Sequence, residues 1–248
     1  MKFDVKTVSD LPAFVDIRSL QCELSMRPEF SKLNKIIARA LFYQSCRADL
    51  AQAETCVVAL KQLLNSPRKA GTLEKLATES ALLMQAALLY ERATAGNGGR
   101  GQRGSLAIAG KLSPDLLADH ELIVNLRNRG IAHVYHGEII GQKIWSEQTI
   151  LLIEQDSGFR PCVTTRTSQV SLPIINALER LLPVASELAK SKTDEQLDKL
   201  IETLNQNPIG IDMMSRHRVD PTKFFESEER ALEVVKSSSR GEASFRSN

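Results

Sequence analysis

Three side chains suited to phosphodiester chemistry fall within the run LIVNLRNRGIAHVYHG at residues 122–137: Arg127, Asn128 and His133. An imidazole titrates near neutrality and can act as general acid or general base. A guanidinium offers a planar fork of donors to a phosphorane that gains negative charge. A carboxamide can hold the phosphate or orient the imidazole. Together they could activate a ribose 2′-hydroxyl and protonate a departing 5′-oxygen, which is what RNA cleavage without a metal requires. The same residues also have a purely structural reading. Arg127 and Arg129 near a helix C-terminus would offset its dipole, and His133 would be an ordinary helix-end residue.

Spacing constrains the site. On a regular helix six residues separate Arg127 from His133 by roughly 120° in azimuth and about 9 Å along the axis. The two cannot share one straight face. Either Gly130 breaks the helix and swings His133 back, or two copies of the chain complete the site across a two-fold axis. A homodimer with two Arg127–His133 sets facing one cleft is the expectation for the second case.

Other residues could support an RNA ligand. Arg129 lies inside the motif, and Arg100 and Arg103 stand in the glycine-rich run GNGGRGQRG at 96–104, from which they could reach phosphates without reading sequence. A solvated linker is the alternative for that run. It lacks the lysine and Ser/Thr ending of a phosphate-binding P-loop. His133 and His136 are three apart, but a zinc site needs further ligands and only His120 and Glu138 are near. No metal and no cofactor are expected.

These residues need elements to position them. Apolar residues recur at three- and four-residue steps from Ser31 to Leu64, which predicts one long helix stopped by Asn65-Ser66-Pro67. A second helix is predicted over 72–94; its middle is apolar almost all round, so it belongs at the centre of a bundle. A third starts at Ser113-Pro114, with serine as cap and proline at the first helical position, and leads into Arg127. β-Branched runs on either side of Asp156-Ser157-Gly158 predict a β-hairpin within about 138–170, with Trp145 packing it onto the helices. Helical periodicity returns at Leu172, with a kink expected at Pro183. Thr193-Asp194-Glu195-Gln196 resembles a capping box that opens a further helical stripe. Residues 1–28 read as irregular, with a short strand in MKFDVKTV. Residues 208–248 read as one short helix, SEERALEVVK, and a serine-rich disordered tail.

The fold expected is all-α, an antiparallel bundle of four to five helices over 29–207 with the hairpin inserted after the motif helix. Arg127 and Asn128 followed by Ala132-His133 late in such a helix resemble the signature of the HEPN superfamily, and in particular the HEPN proteins of phage abortive-infection systems. The order of elements is similar too, so the resemblance spans roughly residues 30–205. It implies a metal-independent endoribonuclease that leaves 2′,3′-cyclic phosphate ends and serves as a toxin or anti-phage effector, with Arg127, Asn128 and His133 catalytic. A cognate antitoxin or sensor would then be a partner. In one branch of the family a tyrosine two residues after the histidine is AMPylated; Tyr135 stands there, but this spacer has five residues where that branch has four. A non-catalytic HEPN-like RNA- or nucleotide-binding domain and a helical protein-interaction module remain as alternatives.

Composition narrows the classes. Hydrophobic residues make up 42% of 248, charged residues 25%, and net charge is +2. Such a chain can bury a sizeable core, and it binds polyanions through a local patch rather than its overall charge. The longest apolar run, ALLMQAALLY, is interrupted by Gln85 and too short to span a bilayer. Without an apolar stretch at the start or any CxxC pair among four cysteines, a cytoplasmic protein with free thiols is expected.

Overall fold

Side-chain caps start several of the helices. In the computed structural model, which describes residues 13–66, 72–96, 103–131, 137, 139–155, 158–167, 170–206 and 211–237, 72% of the described residues are helical. Asp16 accepts from the Arg18 amide at the start of α1 (Ile17–Ser25), Thr72 from Lys75 at α3 (Leu73–Thr94), and Ser113 from Leu116 at α4 (Pro114–Asn125). Helix α2 (Ser31–Leu64) and helix α5 (Leu172–Gln206) are the longest elements, and α6 (Ile211–Arg216), α7 (Pro221–Phe224) and α8 (Glu228–Ser237) follow. No helix among the described residues is long and apolar enough to cross a membrane. The four cysteines carry free thiols.

The chain divides into two compact units, with boundaries inside α2 and α5: residues 1–41 with 196–248, and residues 42–195. The larger unit has one core. Leu50, Leu60, Leu83, Ala86, Ala87, Leu89, Ile123, Leu126, Ile174, Leu178 and Leu181 are all buried in it. Helix α3 contributes buried residues around much of its circumference, as its all-round apolar middle requires. Among the described residues there are three antiparallel pairs: β1 (Phe14–Val15) with β6 (Arg218–Val219), β2 (Ile139–Ile140) with β3 (Lys143–Ile144), and β4 (Ser146–Gln155) with β5 (Gly158–Thr167). The last pair is the expected hairpin. Gly141 and Gln142 both have positive φ in the tight turn between β2 and β3. Ser171 Oγ donates to the Gly141 carbonyl at 3.1 Å, tying the turn to the start of α5.

Several expectations are corrected. Residues 17–25 are not irregular but form α1, because the Asp16 cap starts a helix whose Leu20 and Leu24 are fully buried. The strand expected in MKFDVKTV lies outside the described residues. The two helices expected on either side of Lys190-Ser191 are one. Thr193, 2% exposed, is not a cap: its hydroxyl donates to the Ala189 carbonyl at 2.8 Å, four residues back inside α5. Pro183 sits within the same continuous helix. Beyond residue 210 there is more than one short helix, since α6, β6 and α7 precede α8; the expected tail beyond Ser237 lies outside the described residues.

In the smaller unit Glu23 of α1 gathers several polar contacts. Arg216 reaches it at 2.6 Å, and His217 Nε2 stands 2.8 Å from its other oxygen. A carboxylate only accepts, so Nε2 carries the proton; in the neutral ring Nδ1 then accepts from Ser19 Oγ, 2.8 Å away. The Arg216 and His217 hydrogen bonds pull the Glu23 carboxyl from its ordinary value near 4.5 to about 2. A depressed folded-state value means the contribution is fully present above pH 4.5 and is lost as pH falls towards 2. Protection factors of the α1 amides are expected to decline across that window. In Glu23→Gln they should already be low at pH 6, with no further fall on acidification.

Candidate functional site

Helix α4 does not break at Gly130. It widens: Leu126–Ile131 form a π-helical turn that continues α4. In a π turn residues i and i+5 stack on one face. Leu126, fully buried, and Ile131, packed against the same core, stand at the two ends of that turn. Gly130 has another task. A Cβ there would lie 2.8 Å from Trp145 Cδ1 and 3.0 Å from Trp145 Nε1 and Leu126 Cδ1. The indole thus rests against the bare backbone of the motif turn. Trp145 is 4% exposed and joins the main core, so the residues leading into the hairpin are anchored as expected.

Arg127 and Asn128 sit on the widened turn. Arg127 Nη1 donates to Asn128 Oδ1 at 2.9 Å, which turns the carboxamide oxygen towards the arginine. On the other side Arg127 Nε lies 3.3 Å from Glu91 Oε2 of α3. The angle there is not that of a hydrogen bond, so the attraction is one of charge, and buried Nε has no hydrogen-bond partner. Glu91 is buried, whereas the Arg127 side chain is 38% exposed. A buried carboxylate therefore steadies a guanidinium that still reaches solvent. π turns are enriched at functional sites, because they offset residues from the regular helical face.

A polar network lies close by in sequence. Tyr90, next to Glu91, is fully buried with its hydroxyl 2.9 Å from His120 Nδ1. Burial pushes the Tyr90 hydroxyl well above its usual range and pulls the His120 imidazole down, favouring its neutral form. Asp119 takes two hydrogen bonds from Arg180 of α5, at 2.8 and 2.6 Å. Glu91 was not among the residues singled out from the sequence. Its one signal is a charge directly after Tyr90, where the apolar middle of α3 ends.

Arg103 is drawn inward. It donates to Asp49, to Ser45 Oγ at 2.5 Å and to the Arg92 carbonyl at 3.1 Å. Arg92 itself makes a two-pronged contact with Asp49, at 2.9 and 2.5 Å. Arg103, near the end of the glycine-rich run, is thereby fastened to α2 and α3. Arg129 is exposed on the motif turn and engaged in an interaction of its own. His133, Tyr135, His136, Glu138 and Arg100 lie outside the described residues. Among the described residues no three histidine, cysteine or acidic side chains gather as metal ligands do. Comparison of the chain with family profiles, with curated proteins and with solved structures finds no match.

Proposed function

We propose that the chain is a HEPN-type, metal-independent endoribonuclease that acts in the cytoplasm as a toxin or anti-phage effector. The observation carrying this reading is the Arg127–Asn128 pair on a π turn, with the guanidinium steadied by buried Glu91 yet reaching solvent. In the proposed reaction His133 takes the proton from the ribose 2′-hydroxyl or returns one to the leaving 5′-oxygen. Arg127 stabilises the phosphorane, and the Asn128 amide hydrogens hold a non-bridging oxygen. Arg129 and Arg100 would contribute phosphate contacts, whereas Arg103 is held by Asp49, and two copies would complete one cleft. A cognate antitoxin or sensor would hold the activity in check.

The test is incubation of the purified chain with total RNA in EDTA, beside Arg127→Ala and His133→Ala. The unmutated chain should cut and leave 2′,3′-cyclic phosphate ends, and neither variant should. Equal cutting by all three, or none by the unmutated chain, would remove the ribonuclease reading.

A further inference from the structure

The β4–β5 ribbon presents apolar side chains that its own chain leaves uncovered. Its register pairs Ile150 with Val163, Leu152 with Pro161 and Glu154 with Phe159, which puts all six on one face. Ile150, Leu152, Phe159 and Val163 are 64–79% exposed, and Pro161 is exposed as well. The only charge on this stretch of the face is Glu154. A two-stranded ribbon standing alone in water is marginal, and ten residue pairs in register argue for a cover present whenever the chain is folded. A second copy meets that condition without help from any other molecule.

We infer that this face is a homodimer interface, in which the ribbons of two copies stack face to face about a two-fold axis. Five apolar side chains at this exposure present on the order of 500 Å² per copy, and with the flanking Gln148, Thr165 and Glu154 the pair reaches roughly the 1,200 Å² at which stable interfaces begin. Edge-to-edge pairing is the competing geometry, and both edges resist it. Pro161 keeps its place in the ladder only with its nitrogen turned away from β4, so the outer edge of β5 lacks a donor there. Two β4 strands paired antiparallel about Ile150–Leu151 would set Glu147 opposite Glu154 of the other copy, twice. Stacked faces avoid both problems and bury the stripe in the manner of a β-sandwich. The described charge on the stripe itself is Glu154, and Arg160 falls on the opposite face of the ribbon, so the stripe has little to offer a nucleic acid or an anionic membrane.

Sedimentation of the full chain at micromolar concentration tests the interface. Two copies are also proposed to complete the cleft, so the response to substitution at Leu152, rather than the dimer itself, separates this interface from the ribonuclease reading. The unmutated chain should run at twice its chain mass. Leu152→Glu and Leu152→Lys, changed at the middle of the stripe, should each run as monomers with unchanged helical circular dichroism. Mixing the two variants should restore a dimer through opposite charges, an outcome that misfolding could not produce. A monomeric unmutated chain, or a dimer that survives both substitutions, would overturn the inference.

Discussion

Arg127→Ala is expected to reduce RNA cleavage by about 100- to 1,000-fold, the usual effect of removing one preorganised donor from a developing negative charge. Removing the general acid or base with His133→Ala should cost about as much or more. The loss in Arg127→Ala should fall mainly on kcat, because the charge that arginine meets exists chiefly in the transition state. Arg127→Lys should not recover it, since a point charge cannot donate to Asn128 Oδ1 and a phosphate oxygen in one plane. Glu91→Gln gives a second, graded readout. It keeps the shape of the buried side chain and removes the charge standing 3.3 Å from Arg127 Nε. Glu91 acts only through the arginine, so kcat should fall about tenfold, well short of the loss in Arg127→Ala. In an Arg127→Ala background Glu91→Gln should add nothing further to the loss of activity. Additive losses would show that the two residues act separately and would sink the positioning role.

Gly130→Ala is expected to destabilise the larger unit by about 1–3 kcal/mol, the range for forcing one carbon into a close-packed core. The added carbon would meet the rigid Trp145 ring at 2.8 Å and fully buried Leu126 at 3.0 Å, and neither can swing out to solvent. Trp145→Ala should cost more, about 3–5 kcal/mol, because it empties a buried indole site. For a chain of this size each kcal/mol lowers Tm by roughly 2–4 °C, so thermal unfolding followed by circular dichroism resolves both effects. The double variant decides the mechanism. If the glycine is there to admit the indole, Gly130→Ala should be nearly silent once Trp145 is alanine. An undiminished cost in that background would mean that the π turn itself excludes a side chain.

What could be read in advance was whatever rests on near neighbours in the chain. The extents of α2 and α3, the Ser113 cap and the β4–β5 hairpin follow from three- and four-residue periodicity, capping residues and turn residues, all of which act over a few positions. Local signals failed where a distant packing partner reversed the preference. Thr193 has the type and place of a cap, but its burial makes the Ala189 carbonyl the available acceptor and α5 runs on. Residues 17–25 gave a weak signal because only two of the helix's residues, Leu20 and Leu24, are buried, and the core they join includes Leu200 and Met213 far along the chain.

The candidate site divides along the same line. The sequence by itself determined which groups stand in the motif, Arg127, Asn128 and His133, and that one straight helix could not bring Arg127 and His133 onto one face, because both follow from residue type and helical geometry. Only the tertiary structure decided that α4 widens at Leu126–Ile131 instead of breaking at Gly130, that Glu91 stands behind Arg127, and that Arg103 turns inward to Asp49. The physical reason is sequence distance. Glu91 lies 36 positions before Arg127, and Asp49 lies 54 before Arg103; no local preference links such residues until the core packs α3 against the motif turn and Arg103 meets α2.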